Sequence, residues 1–121
     1  MIKSFRDLIV WNKAMELAKA VYGLIRFLPK EENYALADQM RRAAVSIPSN
    51  IAEGQARQGT KEFLQFLCIA RGSKAELETQ VLLAESLGYF QNVPQEQLQS
   101  VYALMDEVSK MLYTLIAKLS A

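Results

Sequence analysis

The sequence predicts an all-α protein folded as an antiparallel, up-down-up-down four-helix bundle. Apolar residues recur at spacings of three and four, as on one face of a helix, and no segment shows the alternation of a β-strand. Gly and Pro together total only 8 of 121 residues, too few for the turns of most all-β folds. Short connections favour antiparallel neighbouring helices. Residues 1–121 are predicted to form one domain, since this length supports a single core.

The first helix is predicted over residues 7–28. Its apolar stripe consists of Trp11, Ala14, Ala18, Val21, Ile25 and Leu28. Ser4 and Asp7 have the spacing of a capping box, although Asp7 could equally be the cap itself. Pro29 is expected to end the helix, because the residue before a proline is driven out of the α region.

The second helix is predicted over residues 34–56, with Pro48 inside it. Proline removes one backbone donor and clashes with the carbonyl four residues earlier, so we expect a kink between Ala44 and Pro48. Gly54 is expected to close this helix. The connection then runs from Gly54 to Gly59.

The third helix is predicted over residues 60–87 and the fourth from Pro94 to about residue 119. Gly72 lies in the middle of the third helix, where glycine costs about 1 kcal/mol relative to alanine, so we expect a close backbone approach there. Gly88 is expected to end the third helix, and Pro94 suits a first helical position.

Charge is distributed unevenly along the chain, although the net charge is only +1. Residues 41–74 contain six basic and two acidic residues, whereas residues 75–109 contain six acidic residues and no basic one. Such a division predicts oppositely charged faces or ends of the folded protein. A solvated charged surface without a binding role is the alternative.

The composition argues against an enzyme and against a cofactor or metal site. The chain has no histidine, the commonest general base and zinc ligand, and its single cysteine excludes an internal disulfide. Cys68 is flanked by apolar residues and is predicted to lie in the core. The charged start is unlike a signal peptide and no stretch is apolar enough to span a bilayer, so a cytoplasmic protein without membrane contact is expected.

Several stretches of the chain carry a family resemblance. They lie at residues 5–14, 36–44, 46–54, 61–63, 67–73 and 76–78, and the most specific is Ser-Ile-Pro-Ser-Asn-Ile-Ala-Glu-Gly at 46–54. In these stretches the chain resembles a bacterial family of small four-helix-bundle proteins encoded in intervening sequences of 23S rRNA genes. The resemblance implies a homopentamer of unsettled function. These proteins are also similar to the accessory variability protein of diversity-generating retroelements, a basic barrel that binds nucleic acid and a reverse transcriptase.

Two groups of residues are candidates for a site. The basic candidates for contact with RNA or DNA are Arg41, Arg42, Arg57, Lys61, Arg71 and Lys74. Asn50 and Glu53 are three residues apart, so they share a helix face and could join Arg41 or Arg42 in a polar network. This network is expected to fix the register of helices or of a subunit interface, with ligand contact as the alternative.

The hypothesis from the sequence is a non-enzymatic homo-oligomer that binds RNA or DNA through basic residues repeated around a ring. The alternative is a scaffold that binds a protein partner and has no specific affinity for nucleic acid. Self-association is expected because apolar residues cover about half the circumference of the first helix and roughly 140° of the fourth, counted at ~100° per residue. One bundle would leave part of these surfaces uncovered.

Overall fold

The computed structural model describes residues 4–121 of the chain, and this range contains four α-helices and no strand. The helices are α1 (Ile9–Ile25), α2 (Leu36–Ala56), α3 (Thr60–Ser86) and α4 (Gln95–Ser120). Each helix packs closely against two others in the cyclic order α1, α2, α3, α4, and the backbones of diagonally opposite helices stay apart. The predicted antiparallel four-helix bundle is confirmed, and α2 with α3 forms its most extensive helix pair.

The core lies along the bundle axis and receives side chains from all four helices. Leu17, Met40, Ile47, Leu77 and Leu112 are completely buried there. Each large aliphatic side chain removed from water in this way contributes about 1.5–3 kcal/mol to folding. Within one helix the buried residues recur at spacings of three and four, as at Met40, Ala44, Ile47 and Ile51 of α2, and this spacing accounts for the sequence pattern from which the bundle was predicted.

The helix α1 is shorter than predicted at both ends. At its start, Ser4 and Asp7 do form a capping box, but the box caps a separate 3-10 turn at Phe5–Asp7, and α1 begins only at Ile9. At its end, Phe27 and Leu28 lie in a turn after Ile25. Leu28 precedes Pro29, which is the steric reason that the helix stops early.

The helix α2 runs without a break through Pro48 as far as Ala56. A full break at the proline is therefore excluded, while the bend near Ala44 stays a prediction. Gly54 does not close the helix as expected. The helix instead continues to Ala56, and Gln58, two residues later, takes the left-handed conformation with a φ of 63°.

The close backbone approach lies at Gly54 of α2 rather than at Gly72 of α3. A Cβ atom on Gly54 would meet the Cβ of Phe66 at 2.7 Å and Cδ1 of Phe63 at 3.1 Å. A Cβ atom on Gly72 would meet nothing within 4 Å, so the expectation for Gly72 was wrong. Glycine at position 54 is what lets α2 and α3 pack closely at this level.

Gly88 ends α3 as predicted. Its φ is +83°, its amide donates to the carbonyl of Glu85, and the amide of Tyr89 donates to the carbonyl of Ala84. These two bonds form a Schellman motif, in which the residue after the helix takes the left-handed conformation that glycine adopts without strain. The chain thereby turns sharply toward Pro94 and the start of α4.

More of the exposed large apolar side chains lie at α3 than at any other helix, whereas the sequence pattern indicated α1 and α4. Most of the broad stripe of α1 is covered within the bundle, and only Ile9 and Tyr22 of this helix are large and exposed. Four large apolar residues at α3 are each about half exposed, namely Ile69, Leu82 and Leu83 within the helix and Leu87 directly after its end. Cys68 is also exposed on α3, so its predicted core position was wrong. We call the surface formed by the four apolar residues and Cys68, with Gly72 and Ala75 between them, the outer face of α3.

Among the described residues, no helix is long and apolar enough to cross a membrane.

Candidate nucleic-acid interface

Charge separates along the axis of the bundle. One end, formed by residues 4–17, 47–73 and 108–121, carries seven basic and four acidic residues, a net charge of +3. The other, formed by residues 18–46 and 74–107, carries six basic and nine acidic residues, a net charge of −3. We call these the basic end and the acidic end. The near-zero total therefore conceals a polarised molecule, as the uneven sequence distribution predicted.

Lys61 and Arg71 are the candidate cations that remain available to a ligand at the basic end. Lys61 is exposed in the first turn of α3 and has no hydrogen bond or ion pair with any described residue. Arg71 is also exposed, and its one polar contact is a weak one, 3.9 Å from a guanidinium nitrogen to Sγ of Cys68. No carboxylate neutralises either cation, so both are free to bind a phosphate group.

Arg57 and Lys74 are paired with acids on their own helices. A guanidinium nitrogen of Arg57 lies 2.9 Å from Oε2 of Glu53, and its Cζ lies 5.2 Å from the ring centroid of Phe66. The ammonium of Lys74 lies 2.7 Å from Oε1 of Glu78, with the lysine side chain only 12% exposed. These two residues are consequently weaker candidates for phosphate contact than the sequence indicated.

Arg41 and Arg42 lie at the acidic end, on the first half of α2. Arg41 donates to the side-chain oxygen of Asn33 at 2.9 Å and to its carbonyl at 3.3 Å. Arg42 pairs with Asp38 at 3.0 Å. Arg41 is sixteen residues from Arg57, about 24 Å at the rise of an α-helix, so the six candidates do not form one patch in a single chain.

Asn50 and Glu53 do not join an arginine network between helices. Asn50 donates from Nδ2 to the carbonyl and the Oγ of Ser46, at 2.8 and 2.9 Å. The Oγ of Ser46 lies 2.8 Å from the Oγ of Ser73, which is the polar link between α2 and α3. Glu53 pairs with Arg57 of the same helix instead. A hydrogen-bonded link between helices does exist here, but serine, not arginine, provides it.

Three residues of α4 belong to the basic end and were missed by the sequence reasoning. Lys110 and Lys118 lie on the rim of an apolar groove of about 470 Å³ between the start of α1 and the end of α4. Lys110 also lines a second groove of about 450 Å³, together with Arg71 and the 63% exposed Tyr113. The available signal was that no acidic residue follows Glu107 while two lysines do.

Two tyrosines anchor carboxylates at the acidic end. Tyr89 donates a hydrogen bond of 2.8 Å to Oε2 of Glu32, and this bond is the main reason that the pKa of Tyr89 is raised above its usual value of 10.0. Tyr102 donates to Oε1 of Glu85; burial, followed by this bond, raises the pKa of Tyr102 well above 10.0. Acids at this end therefore hold the connections and the α3–α4 edge together.

The sequence profile of the 23S rRNA-intervening sequence protein family matches residues 6–114. The chain belongs to this family. A comparison with curated proteins gave no match.

A solved structure with a similar fold supports the helical architecture. It is a crystal structure of a protein of unknown function from the S23 ribosomal protein family of Bacteroides thetaiotaomicron, with 28% sequence identity and a TM-score of 0.77. The alignment covers 89% of this chain and 98% of that one. This chain is therefore an all-helical bundle of the 23S rRNA-intervening sequence family. The matched region contains the six basic candidates predicted from the sequence and Lys110, but it ends before Lys118.

Proposed function

We propose that this member of the 23S rRNA-intervening sequence protein family is a non-enzymatic, homo-oligomeric bundle that binds RNA or DNA through its basic end. The observation that carries the proposal is the net charge of +3 on that end, where Lys61, Arg71 and Lys118 lack any carboxylate partner among the described residues. Unpaired cations release counterions from a phosphate backbone at no cost in broken ion pairs. Tyr113 adds an exposed ring on which a base can stack.

Self-association completes the proposal, because one chain presents few cations. The outer face of α3 exposes four large apolar residues over about five helical turns. They cluster at Leu82, Leu83 and Leu87, while exposed Arg71 and Glu76 interrupt the face nearer Ile69. Soluble monomers rarely leave clustered apolar side chains in water. A second copy of the chain would cover it, and cyclic closure would repeat the basic end around a ring. The family resemblance points to five subunits in a bacterial, cytoplasmic protein.

The experiment is a salt titration of binding to a single-stranded RNA with unphosphorylated ends. The Lys61→Gln/Arg71→Gln variant should reduce the slope of log K against log salt by about 1.4, since each lost phosphate contact on a single strand is worth about 0.7. The matched control is Lys19→Gln/Arg42→Gln, which removes the same charge at the acidic end and should leave the slope unchanged. Equal effects of both variants, or no binding by the native protein, would overturn the proposal.

A protein-binding scaffold is the second candidate, and the same outer face of α3 favours it. Apolar surface of this kind is as suitable for a partner protein as for a second copy. The two functions differ in a measurable way: a scaffold would bind RNA no better than a protein of equal charge at physiological salt. The salt titration therefore separates them.

A further inference from the structure

A groove of about 520 Å³ lies at the acidic end, between the end of α1 and the first half of α2. We call it the loop groove, because the connection between the two helices forms one of its walls. Arg26, Lys30 and Arg41 line it, and no carboxylate does. Three cations around a concave surface are notable here, since this half of the bundle is negatively charged overall.

One cation of the loop groove is held in place by hydrogen bonds, and the other two are free to bind a ligand. The two hydrogen bonds from Arg41 to Asn33 fix its guanidinium against the connection. Arg26 and Lys30 are exposed and make no ion pair with a described residue. A guanidinium fixed before binding loses little entropy when it bonds a phosphate, and guanidinium–phosphate bonds are among the strongest hydrogen bonds in proteins.

The acidic neighbours do not enter the groove. Glu32 accepts from the phenol of Tyr89 at 2.8 Å and from the amide of Leu36 at 3.3 Å, so its carboxylate is occupied. Glu31 is exposed and does not line the groove. The Tyr89 bond also ties the connection to the chain after α3, which keeps the groove wall in position.

The remaining lining is suited to a planar apolar group. Tyr34, at 92% exposure the most exposed large apolar side chain of the described residues, stands at the rim. The lining also includes the apolar residues Ile25, Leu28, Pro29 and Ala37. A tyrosine ring left in water beside an apolar floor offers a stacking platform for a base, which contributes to binding for every nucleobase.

We propose that the loop groove binds a nucleoside phosphate, with the phosphate on Arg26, Lys30 and Arg41 and the base against Tyr34. The inference does not depend on nucleic-acid binding at the basic end. The same chemistry is presented by a free nucleotide and by the phosphorylated end of a single strand. Both ligands are therefore used as probes.

The experiment measures the affinity of the native protein and its variants for AMP by calorimetry, with adenosine as the phosphate-free comparison. AMP should bind at least about tenfold more tightly than adenosine, and Arg26→Gln/Lys30→Gln should remove about tenfold of that affinity. The control Lys19→Gln/Arg42→Gln loses the same charge outside the groove and should bind AMP as the native protein does. Tyr34→Ala should weaken AMP and adenosine alike, and Tyr113→Ala should weaken neither.

A second arm compares a short oligonucleotide bearing a 5′-phosphate with the same strand bearing a 5′-hydroxyl. If the phosphorylated strand binds more tightly than the hydroxyl strand, and Arg26→Gln/Lys30→Gln removes this difference, a strand end is the source. If the two strands bind equally while AMP binds more tightly than adenosine, the source is a free nucleotide. Equal binding of AMP and adenosine, equal losses in the test and control variants, or no AMP binding at millimolar concentration would overturn the proposal. The Lys61→Gln/Arg71→Gln variant should bind AMP normally, so failure at the basic end is distinguishable from failure here.

Discussion

The inner and outer faces of α3 are built on opposite principles. On the inner face, Gly54 of α2 approaches Phe66 so closely that even one added carbon would collide, and Ser73 bonds Ser46 across the helix pair. On the outer face, Gly72 has open space around it and Leu83 is about half exposed. One helix therefore has a side completed by its own chain and a side that its own chain leaves unfinished.

The largest expected effect is a loss of self-association caused by substitutions on the outer face of α3. Leu83→Glu/Leu87→Glu puts two charges on the outer face of α3, so an assembly sealed by this face should dissociate to single chains while each chain stays helical. Light scattering and circular dichroism on the same sample check both parts. The comparison variant Ile9→Glu/Tyr22→Glu places the same charges on exposed apolar positions of α1. If that variant dissociates and the α3 variant does not, α1 is the interface.

Gly54→Ala tests the close packing of α2 against the inner face of α3. The new Cβ would lie 2.7 Å from the Cβ of Phe66, an atom too close to its own backbone to move aside freely. Overpacking of this kind typically costs about 1–3 kcal/mol, and we expect the free energy of unfolding to fall within that range. Urea denaturation measures it, and an unchanged midpoint would contradict the close approach of α2 to α3.

Gly72→Ala is the same substitution on the other side of α3 and should have the opposite sign. Nothing opposes the added carbon, and alanine in a helix interior is more stable than glycine by about 0.5–1 kcal/mol. The expected result is a higher urea midpoint. A decrease would show that Gly72 is already covered in the native assembly, which would itself sharpen the comparison in favour of a tight interface.

The smallest expected effect is at the edge between the two faces, where Glu85 accepts from Tyr102. Because folding raises the pKa of Tyr102, and likewise that of Tyr89, the stabilisation is complete below pH 10 and is lost as the pH rises above it. Tyr89→Phe/Tyr102→Phe should therefore flatten the fall in unfolding free energy above pH 10. Tyr113→Phe, whose phenol bonds no described residue, should leave the fall intact.

The sequence was sufficient to predict where the helices lie along the chain, but not which surface of each helix packs closely and which stays exposed. The apolar spacing placed all four helices, and the chemistry of Gly88 correctly predicted the end of α3. Gly54 was expected to close α2 and Gly72 to allow a close approach, whereas the close approach lies at Gly54 and Gly72 faces open space. A glycine required for close packing and one on an open face look alike in a sequence. Cys68 was misplaced for a related reason: an apolar run within a helix does not distinguish the core from an exposed face that is itself apolar.

For the candidate site, the sequence was sufficient to predict the overall charge distribution but not which cations are paired. Counting charges along the chain correctly predicted a polarised molecule, since antiparallel helices bring distant segments to the same end. Pairing was beyond such a count, because Glu53 and Glu78 neutralise Arg57 and Lys74 through side-chain geometry. The loop groove depends on residues from both sides of a connection, and the space between them has no counterpart in the sequence.

The exposed thiol of Cys68 allows subunit association to be measured through its alkylation rate. It is the single cysteine of the sequence and lies on the outer face of α3, so a maleimide reagent labels one known position. In a free chain that sulfur is open to attack, whereas a neighbouring subunit seated on the same face would shield it. The alkylation rate at increasing protein concentration would then trace subunit docking without any added probe, and its half-point would give the strength of the contact.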